Sequence, residues 1–232
     1  LTLTPQGIVT DREACLLCGK CADACPTKAM ELSGKAYTHE DVMKIIERER
    51  VHMDLSGGGV TFSGGEPLLF PEYLTGLLEA CGKKGIHRAV DTCGYASTNR
   101  LLDVARHTDL FLYDLKLMDP ARHQQWTNVS NELILNNLKA LSREGIPLII
   151  RVPLIKNVNT DEDNLTQMAR FISKSPGKSP VVNLLPYHPV AEGKYRKMGI
   201  AFPAGEMEEP TEEEQKDAVA VFERAGVEVI NG

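Results

Sequence analysis

Four cysteines within eleven residues are where this sequence first shows chemistry: Cys15-x2-Cys18-x2-Cys21-x3-Cys25, followed by Pro26. The run has the spacing with which small iron–sulfur modules ligate a 4Fe–4S cluster, because thiolates must wrap the corners of one compact body. Zinc is the competitor, but zinc sites usually pair two short hooks across a longer loop, and here all four lie in one run. Iron–sulfur is therefore the better reading for Cys15, Cys18, Cys21 and Cys25. In two-cluster modules the last cysteine of one run serves the other cluster, so one or two such clusters are compatible with the spacing.

A second set of residues lies further along, at the ends of apolar segments that read as strands. Ligands of parallel α/β folds bind at the carboxyl ends of the strands. The first segment ends in Ser63-Gly64-Gly65-Glu66-Pro67 and the second in Asp91-Thr92-Cys93-Gly94. The third carries Asp114 and Lys116, which strand alternation would place on one face. The fourth carries Arg151, and a later one ends in Tyr187-His188. Each alone has a plain structural explanation: Lys116 snorkelling, Arg151 paired at the surface, His188 a satisfied structural histidine. Together they describe a polar pocket, since charge within apolar segments is costly unless paired or bound. The pocket suits a ligand with an amine and a carboxylate: Glu66 and glycine carbonyls can accept from the amine, and Lys116 can neutralise the carboxylate.

The elements that must hold these residues alternate. Strands are expected at the Gly57–Ser63 segment, Ile86–Thr92, Leu110–Lys116, Pro147–Pro153, Val181–Tyr187 and Val227–Ile230. Helices are expected from Thr38 to about Arg50, after Pro71, and near 97–106, 131–144, 161–174 and 211–225. Such alternation implies parallel pairing by crossovers, and runs such as Leu110–Tyr113 suit strands covered on both faces. An open, partial barrel and a doubly wound sheet both satisfy this pattern. A boundary after residue 36 separates a small cysteine-organised module, 1–36, from an α/β domain, 37–232.

Composition narrows the classes. With 42% apolar and 25% charged residues the 232-residue chain reads as an ordinary globular protein. A net charge of −6 without a basic stripe argues against a nucleic-acid surface. No run approaches the roughly 20 apolar residues of a membrane span. Clustered cysteines in a chain with a large non-cysteine core fit a reducing, cytoplasmic setting better than a disulfide scaffold.

The segment Gly57-Gly58-Gly59-Val60-Thr61-Phe62-Ser63-Gly64-Gly65-Glu66-Pro67 resembles the Gly-Gly-Glu segment of radical S-adenosylmethionine enzymes. Its context resembles the activating enzymes of glycyl radical enzymes, of the pyruvate formate-lyase activating type. The resemblance continues through Asp91-Thr92, Tyr113-Asp114-Leu115-Lys116, Val129-Ser130-Asn131, Arg151 and Leu184–His188. It implies a partial (βα)6 open barrel with a small ferredoxin-like iron–sulfur module at its N-terminus. S-adenosylmethionine would lie across the top, with Gly64, Gly65 and Glu66 on its amine and Asp114, Leu115 and Lys116 along its methionine end. Arg151 and His188 would also line the cofactor. Asp91, Thr92 and Asp114 match positions at which the family binds a monovalent cation. The implied reaction is one-electron cleavage of S-adenosylmethionine by a 4Fe–4S cluster. The resulting 5′-deoxyadenosyl radical then takes a hydrogen atom from a glycine of a partner enzyme. A flavodoxin or ferredoxin-type donor would supply the electron.

One part of the family pattern does not occur in these 232 residues: the Cys-x3-Cys-x2-Cys loop that holds the catalytic cluster. The expectation is that this loop and the first barrel strand lie upstream of Leu1, so that the chain alone is inactive. Two other readings compete: a radical enzyme acting on a small molecule, and an electron-transfer protein whose barrel is a docking scaffold.

Overall fold

A computed structural model describes residues 1–231 apart from Gln6, Ser33, 176–180, 190–192, Lys194, Arg196, Lys197, Gly199, Ile200, Pro203, Ala204 and Glu206. It divides into two compact units, Leu1–Val42 and Met43–Gly232. The expected boundary after residue 36 falls just before the helix that spans this division.

The first unit holds an antiparallel hairpin of β1 (Thr2–Thr4) and β2 (Gly7–Val9), with Thr2 opposite Val9. A single turn of helix follows, α1 (Lys20–Asp23), and then the start of α2 (His39–Arg48). Neither the hairpin nor α1 is among the sequence expectations. Among the described residues no apolar side chain before Ile46 is buried, so this unit has no hydrophobic core of its own.

The second unit continues with α3 (Arg50–Ser56), β3 (Gly59–Phe62), a 3-10 turn (Pro67–Leu69) and α4 (Pro71–Lys83). Then come β4 (His87–Thr92), α5 (Thr98–Ala105), β5 (Leu110–Asp114), α6 (Pro120–Thr127) and α7 (Glu132–Arg143). Next are β6 (Leu148–Leu154), α8 (Glu162–Ser173) and β7 (Val181–Pro186). The last elements are α9 (Glu212–Arg224) and β8 (Val229–Asn231). All six strands pair in parallel, in the order β3-β4-β5-β6-β7-β8.

That order decides between the two candidate architectures. A doubly wound sheet reverses its strand order at a switch point; this one never reverses. The sheet is an open, singly wound (βα) barrel segment. Burial follows: in β6, Leu148, Ile150, Val152 and Leu154 are buried, whereas Ile149, Arg151 and Pro153 between them are only half-buried. The expectation that the apolar runs are covered on both faces is therefore corrected. One face packs its side chains, Phe111, Tyr113, Ile150 and Val182 among them, with Leu138, Met168 and Phe222 of the helices. The other lines a half-open lumen.

The helix starts carry their expected chemistry. Asp161 accepts a hydrogen bond from Asn164 N at 3.1 Å, and Thr211 with Glu214 forms a reciprocal capping box. The unanticipated α6 begins the same way, with Asp119 accepting from Arg122 N at 2.7 Å and Pro120 at the first helical position. Strand β5 stops at Asp114, two residues short of expectation. Leu115 N donates to Arg151 O at 2.9 Å, but the next donor in parallel register is Pro153, which has no N–H. Lys116 accordingly stands on the loop beyond the strand.

Candidate functional site

At the C-terminal edge of the sheet, Glu66 is the organising side chain. Its Oε1 accepts from Thr92 Oγ1 at 2.5 Å and from Leu68 N at 3.1 Å, while Oε2 accepts from Cys93 N at 2.9 Å. One carboxylate thereby caps the turn after β3 and clasps the end of β4. Gly64 precedes it at φ 137°, a left-handed conformation that favours glycine. An ionised carboxylate oxygen has two acceptor directions, so Oε2 keeps one open for a ligand donor. The Cys93 thiol is pushed up to about 11, first by burial and then by the neighbouring Glu66 carboxylate, while Lys116 acts on it in the opposite direction. Glu66 and Lys116 thus act in opposite directions on one half-buried, neutral thiol.

A charged group lies in the lumen beside this. Arg151 Nη2 is 2.6 Å from Asp91 Oδ1 and 3.0 Å from Asp114 Oδ1, with Nε 3.2 Å from the same Asp114 oxygen. Lys116 Nζ lies 3.2 Å from Asp114 Oδ2, and Ser63 Oγ donates to Asp91 Oδ2 at 3.1 Å. The expected same-strand relation of Asp114 and Lys116 gives way to a strand end and a loop, yet their side chains meet. Arg151 supplies the positive charge between Asp91 and Asp114. Thr92, 2% exposed, spends its hydroxyl on Glu66 and on accepting Gly94 N at 2.9 Å. The three residues matched to a cation site are thus satisfied by side-chain and backbone partners.

Two expected cofactor residues stand differently. Leu115 is 1% exposed and packs into the core, so only its backbone is free to line a ligand. His188, just beyond β7, has Nδ1 2.9 Å from Glu209 Oε1 and joins none of the contacts above.

Buried asparagines are the residues sequence reasoning missed. Asn137 is fully buried; its Nδ2 donates to Gly94 O at 2.8 Å and Ala96 O at 2.7 Å, and its Oδ1 accepts from Thr98. It thereby pins the loop after β4. A signal existed: Asn137 interrupts the apolar stripe Ile134, Leu138, Leu141 of α7.

The four-cysteine run fits an iron–sulfur cluster by its donor set and by what surrounds it. All four thiols are free and at least partly accessible. Left-handed residues at Leu17, Gly19 and Lys28 turn the chain around α1, which carries Cys21. A unit of this size that buries no apolar side chain needs another source of order, which a cluster provides. Among the described residues no group of three or more His, Cys, Asp or Glu is gathered as a metal site, so the ligands are not preassembled.

Comparison with known proteins separates the candidate chemistries. The model of the Radical SAM superfamily matches residues 20–169. The chain is 41% identical to the trans-4-hydroxy-L-proline dehydratase activating enzyme of Clostridioides difficile, over 96% of this chain and 83% of that protein. It is also 41% identical to the choline trimethylamine-lyase activating enzyme of Oleidesulfovibrio alaskensis, over 77% of this chain and 58% of that protein. The chain belongs to the radical SAM activating enzymes of glycyl radical enzymes. A 4Fe-4S binding domain model matches residues 8–31 of this radical SAM protein, spanning all four cysteines of the run. A domain of pyruvate-formate lyase-activating enzyme from Bacteroides vulgatus shares its fold at TM-score 0.65 and 40% identity, over 75% of this chain and 99% of that one. The chain spans less than two thirds of the length of the choline trimethylamine-lyase relative. Its cofactors are S-adenosylmethionine and 4Fe–4S clusters.

Proposed function

We propose that this protein activates a glycyl radical enzyme by placing a radical on a glycine of that partner, in a cytoplasmic setting and with a flavodoxin or ferredoxin-type electron donor. When bound, S-adenosylmethionine would be held by Gly64, Gly65, Glu66 and Lys116 and, with a reduced 4Fe–4S cluster, would supply one-electron cleavage and hydrogen-atom abstraction at the partner's glycine. The observation that carries this reading is the clasp of Glu66 on the end of β4, with Lys116 held by Asp114 at the end of β5, the next strand of the sheet.

The chain's own residues have separable tasks. Glu66, fixed by three donors, offers its remaining lone pair to the cofactor's ammonium, and the backbone at Gly64 and Gly65 approaches closely because it carries no side chain. Lys116 neutralises the cofactor's carboxylate and exchanges its bond to Asp114 for that charge. Arg151 bridges Asp91 and Asp114 and offsets part of their charge, so the lumen floor repels the carboxylate less. Cys15, Cys18, Cys21 and Cys25 hold an auxiliary cluster that passes electrons. Residues 1–36 are the module for that cluster and 37–232 the barrel for the cofactor.

The experiment is an anaerobic assay of the full-length natural protein, reconstituted with iron and sulfide. It reads 5′-deoxyadenosine and the electron paramagnetic resonance signal of a glycyl radical on candidate partners. Both products together establish the activity. Deoxyadenosine without a radical on any protein would favour a small-molecule substrate. Failure to bind S-adenosylmethionine would favour electron transfer.

A further inference from the structure

Three further asparagines, Asn131, Asn159 and Asn164, are 1%, 1% and 2% exposed. Their amides converge on one short segment, Lys116–Met118. Asn159 Nδ2 donates to Lys116 O at 3.0 Å and to Pro153 O at 2.6 Å, while its Oδ1 accepts from Ile155 N at 2.8 Å. Asn131 Nδ2 donates to Leu117 O and Met118 O, both at 2.8 Å. Asn164 Oδ1 accepts from Met118 N at 2.9 Å, and its Nδ2 donates to Asn159 O at 2.9 Å, tying two of the three together. Asn159 and Asn164 each turn the nitrogen to carbonyls and the oxygen to an N–H, and Asn131 turns its nitrogen to two carbonyls, so the partners fix each orientation.

The physical reason for this bracket is the end of the β-ladder. Beyond Leu115 the sheet offers no further backbone donor, because Pro153 lacks its N–H. The carbonyls of the segment are nevertheless buried and need partners. Asn159 supplies one, joining Lys116 O to Pro153 O where a ladder bond would have joined the two strands. Arg122 of α6 holds the Asn159 loop from outside, donating to Val158 O and to Asp161, both at 2.7 Å.

We infer that Asn159, supported by Asn131 and Asn164, is a positioning residue: it fixes where the backbone of Lys116 stands and so where its ammonium meets the cofactor's carboxylate. The inference rests on the proposed role of Lys116. Because the β5 strand has ended, the Lys116 Cα has no ladder to locate it, and the side-chain amides take over that task. Loss of the Asn159 amide frees the loop and weakens one contact of the cofactor, its carboxylate, while leaving the amine site at Glu66 in place.

The test pairs the variant with a ligand that lacks the contact. Equilibrium dialysis on full-length, iron-reconstituted protein measures binding of S-adenosylmethionine and of decarboxylated S-adenosylmethionine to wild type, Asn159→Ala and Lys116→Met, with thermal midpoints recorded in parallel. Asn159→Ala is expected to lose about tenfold in affinity for S-adenosylmethionine, the effect of one charge-assisted contact, and less than about twofold for the decarboxylated ligand. Equal losses for both ligands, or no loss for either, overturn the inference. If Asn159→Ala does not fold, Asn131→Ala, which frees Leu117 O and Met118 O, is held to the same outcomes. Lys116→Met separates the two layers. Discrimination there without any in Asn159→Ala overturns the inference alone, whereas equal losses in Lys116→Met overturn the role of Lys116 and the inference with it.

Discussion

Arg151 on β6 reaches past β5 to place its Nη2 2.6 Å from Asp91 Oδ1 on β4. The same guanidinium meets Asp114 at 3.0 Å, so one cation bridges two half-buried carboxylates, and Lys116 at 3.2 Å from Asp114 supplies the second positive charge. Replacing Arg151 by Met leaves Asp91 without a counter-charge beside Asp114, which keeps only Lys116. Urea unfolding of Arg151→Met should show a loss of about 1–3 kcal/mol, below the value for a fully buried pair because the group remains partly hydrated. Adding Asp91→Asn should recover part of it. A double variant no more stable than the single one would show that repulsion is not the cause.

Gly94 is held at φ 70°, and a Cβ there would collide with the hydroxyl of Tyr113, which donates to Ile134 O at 2.8 Å. Both the backbone and the neighbour therefore demand glycine. Gly94→Ala should cost several kcal/mol, roughly 3 or more, from strain plus displacement of a buried aromatic. Tyr113→Phe in that background should restore little, since two ring carbons would still collide with the Cβ and the positive φ remains. Full recovery in denaturant melts would refute the conformational share.

Two ion pairs outside the site set the response to acid. Arg88 forks onto Asp109 at 2.7 and 2.8 Å, and Arg122 pairs with Asp161 at 2.7 Å. The hydrogen bonds from these guanidinium groups hold both carboxyls below the ordinary aspartate range. A carboxyl whose native value is depressed adds stability above its unfolded value, near 4, and loses it as pH falls through the lower native value. Stability should therefore hold down to about pH 4 and decline below it, and the decline should be shallower in Asp109→Asn. Unfolding midpoints measured between roughly pH 2 and 6 check the slope, and an unchanged slope would remove Asp109 from the account.

The cysteine module should depend on its metal. Because no apolar side chain before Ile46 is buried among the described residues, the module has little else to order it. Iron chelation should make residues 1–42 readily cleaved by protease while 43–232 resists, because only the second unit has a packed core. Mass spectrometry of the fragments decides. Equal protection with and without iron would mean that the module is ordered by other contacts.

Much of this was legible in the residues. Six apolar segments gave six parallel strands because helices alternate with them and Gly64 and Gly94 punctuate their ends. Glu66, Arg151 and Asp114 stood out because charge at strand ends needs a partner, and the structure brings partners to each. What was not legible depends on three-dimensional register. That Pro153 would terminate pairing with β5 follows only once Asp114 is known to oppose Arg151. The asparagines at 159 and 164 look like ordinary turn residues until burial shows what they hold, and the resemblance that includes Asn131 gives it no holding role. Helix α6 was overlooked although Asp119-Pro120 is a readable start, because no strong apolar stripe follows it.

The sequential strand order also bears on how the molecule opens. Strands β4, β5, β6 and β7 each have a neighbour on both sides, whereas among the described residues β3 and β8 each have one. Fluctuations that let solvent reach backbone amides begin at such outer strands and rarely involve the middle. The amides slowest to exchange their hydrogens for deuterium should thus be those of Val90, Tyr113 and Ile150, all fully buried beneath the Asp91–Asp114–Arg151 cluster. The charges of the proposed cofactor seat are carried by the part of the protein that breathes least.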